Sequence, residues 1–154
     1  MNQSFEIVKV TKDNYHLYDD LVYLRLNGKE RSEKEKEVSK TKIDLRILKE
    51  LKKDEFFVYA ALIEKKFVGW IHALYIPKIG KWTMGIMYID ELWVSSDFRR
   101  KGIATALIKK VIEIKDELGI DCIRIYTDNK ASKDLYEKCG LHVINESFFM
   151  EGKF

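Results

Sequence analysis

Hydrophobic and polar positions change their period several times along the chain, and each change marks an element. Residues 5–10 read as a short opening strand. Asp13 or Asn14 can then cap a helix whose apolar side carries Tyr15, Tyr18, Leu21 and Val22, with Gly28 as its stop. The stretch 29–42 alternates charge signs, the mark of a solvated helix face or a mobile surface segment. Within it Ser32 and Glu35 form a capping-box pattern, and Val38, Thr41, Leu45, Leu48 and Leu51 recur at helical spacing, so a second helix follows. Residues 56–63 and 67–76 are β-rich around a polar turn at Glu64, Lys65 and Lys66, which predicts an antiparallel hairpin. After a loop at 77–83, a long strand ends at Val94. The period then becomes helical: Ile103, Leu107, Ile108, Val111, Ile112 and Leu118 mark one face of a helix that Gly119 ends. Residues 122–126 form a strand, Asp128 or Asn129 opens a short helix through Lys138, and 141–150 suit one bent strand or two short ones. The order β-α-α-β-β-β-α-β-α-β-β predicts an α/β (α+β) fold, a mixed sheet with helices on both sides.

Composition narrows the class. At 154 residues the chain has the length of a single domain over 1–154, enough to bury about two-thirds of its unfolded surface. Hydrophobic residues at 46% and charged residues at 34% fit a globular protein and not a disordered or fibrous one. The apolar runs are too short to span a bilayer and the first residues carry no signal layout, so a cytoplasmic location without membrane attachment is expected. Cys122 and Cys139 suit that compartment as free thiols, with a single disulfide as the alternative. A net charge of +3 suits an anionic small molecule and falls short of a nucleic-acid binder.

The chemistry concentrates in residues 88–105. A strand containing Asp90, Glu91, Leu92, Trp93 and Val94 passes through a polar turn into Arg99, Arg100, Lys101, Gly102, Ile103 and Ala104, and an amphipathic helix follows at Thr105. The first turn of a helix has unpaired N–H groups and the positive end of the macrodipole, so a basic glycine loop feeding it can cradle a diphosphate. By itself such a loop reads equally well as a solvated surface turn. A Walker A loop is excluded, because Gly80 and Gly85 have its spacing but Ile86 stands where it needs lysine. No G-x-G-x-x-G follows a predicted strand, which removes the usual dinucleotide fingerprint.

The loop resembles that of the GNAT superfamily of acetyl-coenzyme A dependent N-acetyltransferases, whose pattern Gln/Arg-x-x-Gly-x-Gly/Ala is met by the six residues from Arg99 to Ala104. A second pattern of that family, an asparagine after the next strand and a tyrosine seven residues on, is met by Asn129 and Tyr136. The resemblance covers residues 56–149 in element order. It implies a mostly antiparallel, twisted sheet of about six or seven strands flanked by about four helices. It also implies that backbone N–H groups of Arg100 to Thr105 bind the pyrophosphate of acetyl-coenzyme A, and that the strand before the loop splays from its neighbour. Leu92 and Val94 would then hydrogen-bond the pantetheine arm as an added strand. Asn129 would sit beside the arm and Tyr136 would face the sulfur, although alone the first reads as a helix cap and the second as a core tyrosine.

The implied reaction is direct attack of a neutral amine on the thioester in a ternary complex. Tyr136, a phenol with an ordinary pKa of about 10, can protonate the leaving thiolate, and a main-chain N–H near Leu92 or Val94 can stabilise the oxyanion. The amine arrives as an ammonium, so a base is needed, and Asp90 and Glu91 interrupt an otherwise apolar strand. Strand alternation lets only one of them face the acceptor. Asp90 is favoured, because resembling enzymes carry glutamates on that face; the alternative is that both carboxylates merely pair with nearby Lys or Arg.

No metal is expected: Cys139 and His142 are half of a zinc pattern without its second half. His16, His72 and His142 are scattered and read as structural. Tyr15, Tyr18, Trp70 and Trp82 could line an acceptor pocket, though aromatic residues at such spacing also fill cores. The acceptor expected is a small amine such as a polyamine or aminoglycoside ahead of a peptide N-terminus or lysine, and the resemblance adds a homodimer. A non-catalytic acyl-coenzyme A binding or sensing domain is the alternative function.

Overall fold

The computed structural model describes residues 4–80, 84–148 and 150–154. Five strands form one sheet in the order β1-β2-β3-β4-β5: β1 (Glu6–Lys9), β2 (Phe56–Ile63), β3 (Lys66–Ile76), β4 (Ile86–Val94) and β5 (Cys122–Arg124). The first four are antiparallel neighbours, and β5 runs parallel to β4. A parallel neighbour requires a crossover, and a helix after β4 supplies it. Glu64 and Lys65 take φ of 45° and 67°, the left-handed geometry of a two-residue hairpin turn between β2 and β3.

The sheet is covered on both faces because its central strands are apolar on both faces. On one side α4 (Ile103–Glu117) lays Ile103, Leu107, Ile108, Val111 and Ile114 over Ile71, Ala73, Met87 and Ile89. On the other, α1 (Tyr15–Asn27) packs Leu21 against Val58, Ala60, Phe67 and Trp70. Burying side chains of this size contributes about 1.5–3 kcal/mol each, so these two layers dominate the stability.

Caps mark the helix ends. Gly28 adopts φ 68° and returns its N–H to the Leu24 carbonyl, and Ser32 and Glu35 form the reciprocal capping box before α2 (Glu33–Thr41). The single second helix expected from the spacing of Val38, Thr41, Leu45, Leu48 and Leu51 is in fact two. Asp44 takes an extended backbone, and its carboxylate accepts the Arg46 N–H at 2.8 Å, which opens a separate α3 (Leu45–Glu50). A side chain that offers the backbone an acceptor outcompetes continuation of the helix.

The last expected strands do not form. Residues 141–148 carry no ladder, and Val143, Ile144, Phe148 and Met150 are exposed. A strand needs a partner edge, and β5 is only three residues long, shorter than the expected 122–126. The sheet therefore has five strands instead of six or seven, and five α-helices, the last being α5 (Lys130–Lys138), instead of four. No helix among the described residues is long and apolar enough to cross a membrane.

Candidate functional site

The end of β4, the loop after it and the first turn of α4 are continuous in sequence and form one wall of the candidate site. Ser96–Phe98 form a single 3-10 turn, after which Arg100 and Gly102 take left-handed φ values of 63° and 82°. Gly102 is the N-cap of α4 and offers no side-chain acceptor. Among the described residues, the amides of Arg100 through Thr105 donate to no backbone acceptor. Orphan amides at a helix N-terminus attract anions. A Cβ added at Gly102 would meet nothing within 4 Å, so the backbone is uncrowded at that point. This is a cradle of the kind a pyrophosphate fills. Arg99 does a different job: its Nε donates to the Val94 carbonyl at 3.0 Å and fastens the loop to the strand. Lys101 rests its ammonium over the Phe98 ring, 4.8 Å from the centroid.

The strand supplies the adjoining wall. β4 meets β5 only through Ile86, Met87 and Tyr88, so among the described residues Ile89 to Val94 pair with β3 alone. The Ser95 N–H donates to the Val68 carbonyl. Backbone polar groups of successive residues point to opposite edges of a strand, so Ser95 and Trp93 turn toward β3 while Val94 and Leu92 turn to the open edge. The Leu92 groups and the Val94 N–H are thereby left for an extended ligand, whereas the Val94 carbonyl is already held by Arg99. The Trp93 side chain lies on the α1 face, 4.9 Å from the Trp70 ring between centroids.

Asn129 caps α5: its Oδ1 accepts the Ser132 N–H at 3.0 Å, and its own N–H donates to Thr127 Oγ1. Its amide Nδ2 has no partner among the described residues and remains a donor. One helical turn or two further on, Tyr136 is buried in the α4-side core. Burial, reinforced by Cys139, pushes its phenol up to about 12. Such a phenol keeps its proton at neutral pH and can only donate it. Cys122 and Cys139 are both free thiols.

The α1 face of the sheet carries a feature that alternation conceals. His72 opposes Glu91 and Ala73 opposes Ile89, so Asp90 is an extra residue, a β-bulge. A bulge sets two residues opposite one and breaks the alternation. Met87 and Ile89 before the bulge and Leu92 and Val94 after it all pack on the α4 side, so Asp90 and Glu91 both lie toward the α1 side, which corrects the expectation that only one of them does. Their states differ. Glu91 is half-buried, which alone would raise its pKa, but bonds from Arg25 Nη1 and from Trp70 Nε1 at 2.9 Å hold it below the usual range. The Arg25 guanidinium also lies over the Trp70 and Trp93 rings, 5.1 Å and 5.7 Å from their centroids. Asp90 is exposed and makes no ion pair among the described residues.

Beside these carboxylates, a cavity of about 500 Å³ opens between α1, α3 and the sheet. Tyr15, Tyr18, Phe56 and His72 line it, with Asp44, Arg46 and Glu50 at the α3 side. The Tyr18 hydroxyl and His72 Nε2 are 2.7 Å apart, and His72 Nδ1 is 3.8 Å from Glu91 Oε2. Tyr15 and Tyr18, considered as pocket residues from sequence, line this cavity, while Trp70 is buried beneath its neighbour Glu91. Trp82 lies outside the described residues. Neither His72 nor Arg25 carried a functional signal in the sequence, where the histidine reads as structural and only the stem of Arg25 joins the apolar side of the first helix. Among the described residues no group of acidic, histidine or cysteine side chains could hold a metal ion.

A family model described as the acetyltransferase (GNAT) family matches residues 19–141. The thialysine N-epsilon-acetyltransferase of Sus scrofa is 30% identical over 89 residues, 53% of this chain and 52% of that protein. An uncharacterized N-acetyltransferase of Methanocaldococcus jannaschii is 31% identical over 94 residues, 58% of this chain and 41% of that one. The chain thus spans about half the length of the curated relatives it matches. Among solved structures, an aminoglycoside acetyltransferase from an uncultured soil metagenomic sample, in complex with sisomicin, superposes with a TM-score of 0.75 at 17% identity, covering 97% of this chain and 96% of that one. An aminoglycoside acetyltransferase in complex with a bisubstrate analog of coenzyme A and acetylneamine does so with 0.74 at 15% identity, covering 98% and 99%. At these identities the structures share the fold.

Proposed function

Because the chain belongs to the acetyltransferase (GNAT) family, we propose that it transfers the acetyl group of acetyl-coenzyme A to a primary amine by direct attack in a ternary complex. The observation that carries this reading is the open β4 edge running without interruption into the donor-rich N-terminus of α4. An extended arm and a diphosphate can be held there by main chain alone. The amides of Arg100, Lys101, Gly102, Ile103, Ala104 and Thr105 take the pyrophosphate, Arg99 and Trp93 hold the surrounding backbone, and Leu92, Val94 and Asn129 Nδ2 take the arm. Bound acetyl-coenzyme A supplies an activated acyl group and a thiolate leaving group. Tyr136 holds its proton at neutral pH and delivers it to the departing sulfur. A main-chain N–H of Leu92 or Val94 faces the charge that develops on the carbonyl oxygen.

The acceptor in this reading is a small cationic amine such as a polyamine or aminoglycoside. Asp90 meets its ammonium, and Glu91, braced by Arg25 and Trp70, adds to the negative field from the same face. Across the cavity Asp44 and Glu50 are already paired with Arg46 and Lys53, so Tyr15, Tyr18 and Phe56 are left to suit the cation and its carbon skeleton. The neighbours that carry sisomicin and an acetylneamine analog fit an acceptor of this class.

The test is release of free thiol from acetyl-coenzyme A with spermidine, kanamycin, lysine and a peptide amine in parallel. Amine-dependent release with the polyamine or aminoglycoside is expected. Binding of acetyl-coenzyme A without release from any amine would replace the reading with a sensing domain. A homodimer through residues 141–150 belongs to the same proposal, since Ile144, Phe148 and Met150 are exposed there. Sedimentation should then give twice the mass of the 18.2 kDa chain.

A further inference from the structure

The proposed reaction needs a destination for the ammonium proton, and the carboxylates are poor ones. Moving a proton from an amine of pKa about 10.4 to a carboxylate of about 4 is uphill by roughly 6 pK units, and an imidazole, ordinarily about 6.5, is a stronger base than a carboxylate and narrows that gap. One histidine lies in the wall of the acceptor cavity. His72 is half-buried, with its Nε2 toward the Tyr18 hydroxyl at 2.7 Å and its Nδ1 toward Glu91 Oε2 at 3.8 Å. A carboxylate on the Nδ1 side favours the proton on that nitrogen. Nε2 is then the acceptor and the Tyr18 hydroxyl donates to it, leaving the phenol oxygen's lone pairs for the cavity.

We propose that Tyr18 and His72 form the proton exit of this site, with Glu91 as the positioning residue behind them. The inference rests on the acetyl-transfer reading and deepens it. An ammonium N–H bond breaks as a Tyr18 O–H bond forms, while the phenol's own proton moves to His72 Nε2. The products are a neutral amine and an imidazolium, with no electrons exchanged, and the imidazolium later releases its proton to solvent. The groups around the ring set its protonation. Burial is the largest influence on His72 and pushes its pKa below the ordinary value, so it is neutral and able to accept at pH 7. Glu91 and Asp90 from β4 act the other way and stabilise the imidazolium, while Arg25 from α1 opposes it. Phe56 of β2 and Trp70 of β3 pack beside it as uncharged rings, and Asp44, Arg46 and Glu50 share the cavity wall from the α3 side. Burial also raises the Tyr18 phenol strongly, so it passes a proton along without resting as phenolate.

Two measurements on the full chain decide it. Ring-nitrogen NMR without acceptor should show the Nδ1–H tautomer of His72, with a pKa below 6.5 that rises in Tyr18→Phe, because the lost hydrogen bond favoured the neutral ring. An Nε2–H tautomer, or a pKa indifferent to Tyr18→Phe, overturns the relay whether or not transfer occurs. With spermidine or kanamycin as acceptor, kcat/KM should rise with pH through that same pKa. In His72→Gln this acid limb should vanish and kcat fall by about 100-fold, with the KM for acetyl-coenzyme A unchanged. A uniform loss at all pH with the limb in place would mark His72 as merely structural. Absence of thiol release in the wild-type protein overturns the acetyl-transfer reading itself, and with it the use of the relay, independently of the ring tautomer.

Discussion

Asp90 and Glu91 are adjacent carboxylates with opposite surroundings, and the difference assigns their work. Glu91 is bound by Arg25 and Trp70, so its pKa lies below the unfolded value of about 4.3, and the pair stabilises the fold where the carboxylate is ionised. Since the ion pair is about one-third exposed, solvent screening keeps its worth to about 1 kcal/mol. Glu91→Gln should therefore be less stable than the wild-type protein above about pH 4.3, with the gap closing as the pH falls through the lowered folded pKa. Urea titrations at several pH values read this directly, and a constant gap would remove the ion pair as its cause. Tyr136 is tested by kinetics. In Tyr136→Phe, kcat should drop about 100-fold while acetyl-coenzyme A binds as before, because the phenol acts on the leaving sulfur. Weakened binding with intact kcat would make Tyr136 a packing residue. The identities of Asp90, Glu91, Asn129 and Tyr136 as candidates were legible from sequence. Their partners were not, since Arg25 lies 66 residues from Glu91 and Tyr18 lies 54 from His72.

The N-terminus of α4 and the boundary between α2 and α3 are the elements on which the proposed ligands bear. Gly102 holds φ 82°, where a side chain costs about 1–2 kcal/mol, and it caps the helix whose first amides are unpaired. Gly102→Ala should lower the melting temperature by a few degrees and weaken acetyl-coenzyme A by about tenfold or more in calorimetric titration. Unchanged affinity would move the pyrophosphate elsewhere. At Asp44 two roles can be separated by two substitutions. Asp44→Asn keeps a good N-cap and removes only the exposed ion pair with Arg46, so it should cost little stability. Asp44→Ala should cost a further 0.5–2 kcal/mol or so by urea denaturation, because α3 loses its cap. Capping signals of this kind act within a few residues, which is why Gly28, Ser32 with Glu35, and Asn129 were readable in advance. Asp44 was missed because Val38, Thr41, Leu45 and Leu48 keep helical spacing across it.

At the scale of the whole molecule, two apolar layers hold the sheet and the segment beyond Leu141 contributes little to either. Removal of residues 142–154 should leave the melting temperature within a few degrees of the intact chain while abolishing a dimer in sedimentation; a large loss of stability would show that the segment packs within its own subunit. Period, caps and the motif loop were enough to place β2, β3, α4 and α5, because helical and strand patterns and helix ends are set by side chains close in sequence. They also located the amides proposed to hold a diphosphate, which come from one continuous run of backbone. The bulge at Asp90, the open edge of β4, the short β5 and the ring of Tyr18, His72, Arg25 and Glu91 arise from how distant strands and α1 come into register. No local propensity encodes that register. Packing across the sheet therefore decided the proposed acceptor side of the site, while the order of residues along the chain had already determined the proposed cofactor side.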